Sequence, residues 1–420
     1  MFDLDKWQEI LQALAKKPLR TVLTALGVFW GILMLILMIG FGNGLEKGVK
    51  TDMSDRASNS FFLWGSVTTE PYAGFQPGRR IRMTNDDYFA VKALVKEAKY
   101  VCPRNQLGGY RGGNNVTYNG KAGAFEVTGD YPEIRFAEKF NMDAGRFLNH
   151  VDLKRSRKIC VIGEGVRVQM FEEDEDPIGK NIAINNTYFQ VVGLFSSNQS
   201  GERGERETQR IYTPFTTFQK TFNYGNRISW FSVVSQDNTP ASVAEEKMIA
   251  LLKRRHRVSP TDKRGFGHFN LEEELKEIQN VFFGINAISW IVGFFTLLAG
   301  AIGISNIMLI NVKERTKEIG IRRAIGAKPW GIISQIMTEA IFLTTIAGYT
   351  GLVLGVGLLE LVSFALTESG ADLGMFAPPF VEIDLMLNAL FILIIAGAFA
   401  GLLPASRAVR IKPIEALRTE

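Results

Sequence analysis

Four long apolar runs divide the chain and predict four helices that cross a membrane. Each run is uncharged over about 20 residues, which is the length that spans roughly 30 Å of hydrocarbon. The predicted transmembrane helices cover residues 21–41, 281–312, about 340–359 and 385–403. The first run is too long for the apolar part of a signal peptide and lacks an evident small-residue cleavage site, so we expect it to remain as an anchor.

The distribution of charge predicts the orientation of these helices. The segments 1–20, 313–328 and 404–420 together hold 14 Lys or Arg and 7 Asp or Glu, whereas the rest of the chain holds 34 and 36. Because cytoplasmic loops carry the excess of Lys and Arg, these three segments are predicted to be cytoplasmic. Both termini are then inside and residues 42–280 outside. This topology accounts for the basic pI, so we expect no nucleic-acid partner.

Residues 1–20 are predicted to form a cytoplasmic amphipathic helix. Trp7, Ile10, Leu11 and Leu14 share one helical face, with acidic residues before them and basic residues after them. Such a helix can lie on the inner leaflet; a simple cytoplasmic extension is the alternative.

The inserted region, residues 42–280, has the pattern of an α+β domain. Strand and helix signals at 59–103 return at 227–270 and predict one α+β subdomain built from both ends of the region. Between them, residues 104–226 show short strands separated by glycines and predict a β-rich subdomain. The predicted fold class is a membrane protein with four transmembrane α-helices and a large α+β domain between helices 1 and 2.

The segment 196–208 is polar and rich in charge, and we interpret it as a mobile hairpin tip. A solvated loop is the simpler interpretation. The alternative is a docking hook for a partner, formed by Gly201, Glu202, Arg203 and Gly204. The two cysteines, Cys102 and Cys160, both lie in the inserted region and could form a disulfide or remain buried thiols.

The stretch 305–327 leaves an apolar run at Lys313 and continues as a short basic amphipathic helix. One interpretation is a stop-transfer loop; the other is a surface helix that passes motion from a cytoplasmic partner to a membrane helix. No Gly or Pro interrupts residues 271–283, so one continuous helix is predicted to run from the inserted region into the second span. Glu339, near the start of the third span, is predicted to have a structural role, reaching either the membrane interface or an Arg of the surface helix.

Motifs for catalysis are absent from the sequence. No phosphate-binding loop occurs, because Gly179 and Lys180 are followed by Asn181. The three histidines are scattered, with no HExxH and no cysteine pair at metal-binding spacing. We therefore predict neither an enzyme nor a metal site, and no cofactor bound by this chain.

Several separated stretches resemble the MacB and FtsX-like family of ABC transporter permeases. They are RTVLTALGVFWGI, AGRFLNHVDLKRSRKICVIGEGVRVQMF, DPIGKNIAINNTYFQVVGLF, ERTKEIGIRRAIGA and GLLPASRAVRIKPIEALRTE. The resemblance implies a dimeric permease of the bacterial inner membrane whose inserted domain is periplasmic. It also implies that 313–328 is a coupling helix for an ATPase that binds ATP and Mg. The coupling residues are then Glu314, Arg315, Thr316, Glu318, Ile319 and Gly320, joined by Arg322 and Arg323, with Pro413 to Leu417 as a second contact.

The resemblance leaves three functions open. The first is a permease of a MacB-like efflux pump, which relays motion of a separate ATPase to the periplasmic domain and works with an adaptor and an outer-membrane channel. The second is a lipoprotein-releasing permease. The third is a signal relay that controls a cell-wall hydrolase. The second permease of the dimer is either an identical copy or a paralogue.

Overall fold

The computed structural model describes residues 18–52, 56–107, 114–198, 201–368 and 376–410. The chain divides into two compact units. One comprises Met1–Gly48 and Val281–Glu420, and is called here the membrane unit; the other, Val49–Asn280, is called the inserted domain. The predicted amphipathic helix at 1–17 and the contact at Pro413 to Leu417 lie outside the described residues.

Among the described residues, four helices are long and apolar enough to cross a membrane. They are α1 (Pro18–Asp52), α9 (Leu271–Glu314), α11 (Pro329–Glu368) and α12 (Ile383–Val409). Each extends beyond the apolar run from which it was predicted. The helix α9 is unbroken from the charged residues at its start to Glu314, as the sequence indicated.

Glycines set the packing of these helices. A Cβ on Gly351 would lie 2.6 Å from the carbonyl oxygen of Phe29, so α11 contacts α1 at backbone distance. A Cβ on Gly300 would lie 3.0 Å from the backbone nitrogen of Val28, so α9 approaches α1 equally closely. Small residues allow this approach, which larger side chains would prevent. The helix α1 therefore packs against both α9 and α11.

The strands of the inserted domain form one 11-stranded mixed sheet and a two-stranded ribbon. The strands are β1 (Ser60–Gly65), β2 (Met83–Thr84), β3 (Ala98–Gln106), β4 (Asn114–Tyr118), β5 (Lys121–Asp130), β6 (Asn141–Gly145), β7 (Ile159–Gly163), β8 (Asn181–Ile184), β9 (Thr187–Ser196), β10 (Arg210–Pro214), β11 (Arg227–Ile228), β12 (Trp230–Ser235) and β13 (Phe266–Asn270).

The strand pairing produces a closed ring and an open sheet. The order β10-β7-β9-β8-β4-β5 closes on itself, because β10 also pairs in parallel with β5. Closure removes exposed strand edges from this ring. Its interior is filled by buried side chains such as Phe125, Ile162 and Phe189. The strands β3, β12, β1 and β13 continue as an open sheet with a separate core that includes Phe61 and Phe231.

Short helices cover this framework. They are α2 (Asn85–Leu94), α3 (Ile134–Ala137), α4 (His150–Arg155), α5 (Glu164–Met170), α6 (Gly201–Thr208), α7 (Phe215–Thr221) and α8 (Ala241–Arg255). The helix α8 contributes Ala244, Met248 and Leu252 to the core of the open sheet. It is therefore fixed to that sheet by burial of apolar side chains.

The interpretation of 196–208 as a mobile hairpin tip was wrong for its second half. Residues Gly201–Thr208 form the helix α6, and Thr208 Oγ1 donates to the carbonyl oxygen of Glu205 at 2.9 Å. Gly204 is buried. The segment carries too few apolar residues for a helical face to be visible in the sequence, which is why its pattern indicated a loop.

Candidate functional site: the surface helix between the second and third membrane helices

A short helix, α10 (Thr316–Ala324), follows the end of α9 directly. Arg315 breaks the regular helix between them, with φ −96° and ψ 14°. Thr316 Oγ1 donates to the carbonyl oxygen of Lys313 at 2.7 Å and satisfies a carbonyl at the end of α9. Gly326 ends α10 with φ +102°, a conformation that glycine adopts without strain. The helix is thus confined between Arg315 and Gly326.

One face of α10 packs into the membrane unit. Ile319 and Gly320 are buried, and Ile319 joins an apolar cluster that includes Val312, Ile332 and Ile336. This face therefore holds α10 against α9 and α11.

Three arginines of the surface segment bind the neighbouring helices. Arg315 Nη1 lies 3.2 Å from Glu339 Oε1 on α11, and the Glu339 side chain is 5 % exposed. Arg322 Nη1 donates to Gln335 Oε1 at 3.1 Å, also on α11. Arg323 donates to the carbonyl oxygen of Val409 near the end of α12. Of the two alternatives predicted for Glu339, the pairing with an Arg is confirmed, and the arginine is Arg315.

The opposite face of α10 is exposed and mixes charge with large apolar side chains. Glu314, Lys317 and Glu318 are exposed. Ile325 is 82 % exposed and Trp330, at the start of α11, is 74 % exposed. Exposed apolar side chains surrounded by charged ones are typical of a protein-binding surface.

The structure thus gives the predicted coupling residues different positions and contacts. Glu314 and Glu318 face outward; Ile319 and Gly320 face inward; and Arg315, Arg322 and Arg323 tie α10 to α11 and α12. Thr316 caps the end of α9. Sequence analysis missed Trp330, although a tryptophan two residues after the last lysine of the segment was a visible signal.

A buried ion cluster in the inserted domain was not predicted from the sequence. Arg104 on β3 is 3 % exposed; its Nε lies 2.5 Å from Asp130 Oδ1, and its Nη1 lies 2.6 Å from Glu138 Oε1. Arg210 Nη1 lies 3.1 Å from Glu138 Oε2, and Tyr212 donates to the same oxygen at 2.9 Å. Burial raises the pKa of Glu138, but Arg104 and Arg210 outweigh it and hold the pKa well below its usual range. The cluster joins β3, β10 and the segment after α3.

The cysteines are free thiols in the structure. Cys102 and Cys160 are both fully buried, and burial raises the pKa of each thiol. A buried thiol with a raised pKa is a poor nucleophile. Within the described part of the chain, no group of three or more His, Cys, Asp or Glu could hold a metal ion.

The docking role predicted for Gly201, Glu202, Arg203 and Gly204 stays a prediction. These residues form the first half of α6. The burial of Gly204 leaves its backbone little area for a partner to contact.

The fold and α10 define a multi-pass membrane protein with a large domain between its first two membrane helices and a charged surface helix between its second and third. The chain belongs to the MacB and FtsX-like family of ABC transporter permeases. The MacB-like periplasmic core domain matches residues 21–251, and the FtsX-like permease C-terminal domain matches residues 290–413. The protein is therefore a multi-pass inner-membrane protein, and its inserted domain is a periplasmic core domain.

Curated relatives support the same family. The macrolide export ATP-binding/permease protein MacB of Bdellovibrio bacteriovorus is 29 % identical over 412 residues, covering 97 % of this chain and 61 % of the relative. The pyoverdine export ATP-binding/permease protein PvdT of Pseudomonas putida is 32 % identical over 420 residues, covering 96 % of this chain and 57 % of the relative. The chain thus spans about three fifths of the length of these relatives.

A solved structure, the periplasmic region of MacB from Actinobacillus actinomycetemcomitans, is 20 % identical with a TM-score of 0.43 and covers 54 % of this chain and 96 % of that one.

Proposed function

We propose that this chain is the permease of an ABC exporter, and that an ATPase docks on the outward face of α10. The observation that carries the proposal is the division of α10 into two faces. The inward face is fixed to α11 and α12 by Arg315, Arg322 and Arg323. The outward face presents Ile325 among charged side chains. A force applied to the outward face would therefore be passed to two membrane helices.

The excess of Lys and Arg in 313–328 supports a cytoplasmic position for α10, where an ATPase has access to ATP and Mg. Both termini are then cytoplasmic as well. Movement of the membrane helices would be relayed to the inserted domain through α1 and α9. The chain works as a dimer with a second copy or a paralogue, so that two ATPase subunits can close on each other.

Export is favoured over the two alternative functions by the curated relatives, which are exporters of macrolides and of pyoverdine by name. The proposal includes a substrate exported from the periplasm, and it includes a periplasmic adaptor and an outer-membrane channel as partners. A lipoprotein-releasing permease or a signal relay for a cell-wall hydrolase would use the same α10 with a different periplasmic partner.

The test is affinity purification of the tagged chain from crosslinked membranes, with mass spectrometry of the retained proteins. An ATPase should be recovered with the wild type and lost with Ile325→Asp, since a carboxylate would be buried in the docking surface. The control is Leu94→Asp, which changes an apolar side chain that is 62 % exposed on the inserted domain. Equal recovery of the ATPase with both variants would refute docking on this face.

The proteins recovered with the ATPase distinguish the alternatives. An adaptor or an outer-membrane channel supports export, whereas a lipoprotein carrier or a cell-wall hydrolase contradicts it.

The charged residues between α9 and α10 are tested separately. Glu314→Lys together with Arg315→Glu should uncouple ATP hydrolysis from transport and leave membrane insertion intact. Arg315→Glu also places a second carboxylate beside Glu339, so the single variant Glu314→Lys isolates the outward charge. Normal transport by the double variant would contradict a coupling role for this segment.

A further inference from the structure

The first turn of α9 is capped by Asn270, the last residue of β13. Asn270 is 6 % exposed. Its Oδ1 accepts hydrogen bonds from the backbone nitrogens of Glu272 at 3.0 Å and Glu273 at 3.3 Å. These bonds satisfy two of the N–H groups that a helix start leaves without a partner.

The amide nitrogen of the same Asn270 binds a different helix. Its Nδ2 donates to Glu245 Oε2 on α8 at 2.6 Å. Glu245 is 4 % exposed, and His268 Nδ1 lies beside its other carboxylate oxygen. A hydrogen bond to a buried carboxylate is roughly twice as strong as one between neutral groups. One side chain therefore caps α9 and attaches it to α8.

The start of α8 is capped in return by α9. The residue before α8 is Pro240, which offers no side-chain oxygen. Instead, the backbone nitrogen of Ala241 donates to Glu272 Oε2, on the first turn of α9, at 2.6 Å. The helix α9 thus caps α8 directly, whereas α8 binds the residue that caps α9.

This arrangement fixes the relative position of the two helix starts more tightly than apolar contact would. A short hydrogen bond requires its donor and acceptor to keep both distance and direction. Breaking either bond leaves a buried polar group unsatisfied, which costs about 1–3 kcal/mol. The helix α8 is in turn fixed to the open sheet through Ala244, Met248 and Leu252. Displacement of the first turn of α9 must therefore displace α8 or break the hydrogen bonds of Asn270 with Glu245 and of Ala241 with Glu272.

We propose that these two hydrogen bonds, from Asn270 to Glu245 and from Ala241 to Glu272, are the joint through which α9 moves α8 and the open sheet of the inserted domain. Glu245 and Asn270 are positioning residues in this joint. The inference rests on the proposed function, because it concerns where the motion from the ATPase enters the inserted domain.

The test uses the full-length chain with its ATPase in nanodiscs and measures hydrogen exchange with and without ATP and vanadate. In the wild type, ATP should change the hydrogen exchange of two segments. They are the first turns of α9, residues 271–280, and the helix α8. In Glu245→Ala, the change in α9 should remain and the change in α8 should fall at least about threefold, since the attachment is lost.

Matched variants separate the joint from general stability. Glu245→Gln keeps an oxygen for Asn270 Nδ2 and should restore the change in α8. Glu246→Ala, at the exposed neighbouring position, should behave as the wild type. Asn270→Ser keeps a side-chain oxygen to cap α9 but lacks the amide nitrogen that reaches Glu245, because its hydroxyl is one bond shorter. It should therefore behave like Glu245→Ala, and it leaves the Glu245 side chain in place.

The outcomes distinguish this inference from the proposed function. If Glu245→Ala and Asn270→Ser both retain the full ATP-dependent change in α8, the joint is overturned while the permease function stands. If ATP changes the exchange of α1 but not of α9 in the wild type, the joint is overturned as well. If it changes the exchange of neither helix, the proposed function fails and the joint fails with it.

Discussion

At the scale of single residues, Asp87 shows how a buried carboxylate stabilises the inserted domain. Asp87 is 1 % exposed at the start of α2. Arg255 Nε donates to its Oδ1 at 2.8 Å, and His256 Nε2 lies 2.8 Å from its Oδ2. Burial raises the pKa of Asp87, but the hydrogen bonds from His256, Arg255 and the backbone of Thr84 outweigh it and lower the pKa to about 2.

A carboxyl group whose pKa is lower in the folded than in the unfolded chain stabilises the fold above its unfolded pKa. The contribution of Asp87 should therefore be complete above about pH 4 and be lost as the pH falls towards about 2. Asp87→Asn should lower the free energy of unfolding at neutral pH by about 2 kcal/mol, and its difference from the wild type should shrink in acid. Thermal unfolding of the detergent-solubilised chain over this pH range measures the effect.

The neighbouring Asp86 provides the control, because it lies on the same turn and is exposed. Asp86→Asn should change the free energy of unfolding by less than about 0.5 kcal/mol at any pH. A destabilisation by Asp87→Asn that is the same at acid and neutral pH would show that the hydrogen-bonded carboxylate is not its cause.

The ion pairs show which single-residue features a sequence can reveal. Glu339 stands out because it lies at the edge of an apolar span, where an acid needs a partner and few cations are within reach. Arg104 lies in a strand among other polar residues, and its partners Asp130 and Glu138 follow 26 and 34 residues later. Such a pairing depends on the tertiary fold, so no local pattern could have predicted it.

At the scale of elements, close approach of helices depends on particular glycines rather than on glycine in general. A Cβ on Gly351 would lie 2.6 Å from a backbone oxygen of α1, whereas a Cβ on Gly357 of the same helix would meet nothing within 4 Å. Gly351→Ala should therefore separate α1 from α11 and lower the free energy of unfolding by about 1–3 kcal/mol. Gly357→Ala should be neutral or gain up to about 1 kcal/mol in helix propensity.

Thermal unfolding of both variants in the same detergent measures this difference. Equal stability of the two variants would contradict the backbone contact between Gly351 and Phe29.

Prediction of helices and strands from the sequence succeeded where a segment was long or strongly apolar. Residues 271–283 were predicted to continue as one helix into the second span, and α9 is unbroken over them. The helices α5 and α7, each of 7 residues, were missed because two turns are too short to show a helical period.

At the scale of the whole molecule, the proposed relay requires helices that belong to both units. Both α1 and α9 cross the division between the inserted domain and the membrane unit. In α9, the cap at Asn270 and the tie at Arg315 stand at opposite ends of 44 helical residues. Motion at α10 can reach the inserted domain along this helix only if its hydrogen-bonded backbone stays intact between the two ends.

Gly284, near the division, is where this continuity can be tested. Gly284→Pro removes one backbone hydrogen bond and clashes with the preceding turn, which costs about 3 kcal/mol and kinks the helix. The ATPase should still be recovered with this variant, because α10 is unchanged. The ATP-dependent change in hydrogen exchange at residues 271–280 should be lost.

Gly284→Ala is the matched control, since a Cβ at 284 would meet nothing within 4 Å. Alanine also favours the helix by about 1 kcal/mol relative to glycine. This variant should therefore show an ATP-dependent change in hydrogen exchange at residues 271–280 at least as large as in the wild type. If Gly284→Pro retained the full change at residues 271–280, the motion would have to enter the inserted domain along α1. The hydrogen bonds of Asn270 with Glu245 and of Ala241 with Glu272 would then follow the movement of the inserted domain instead of causing it.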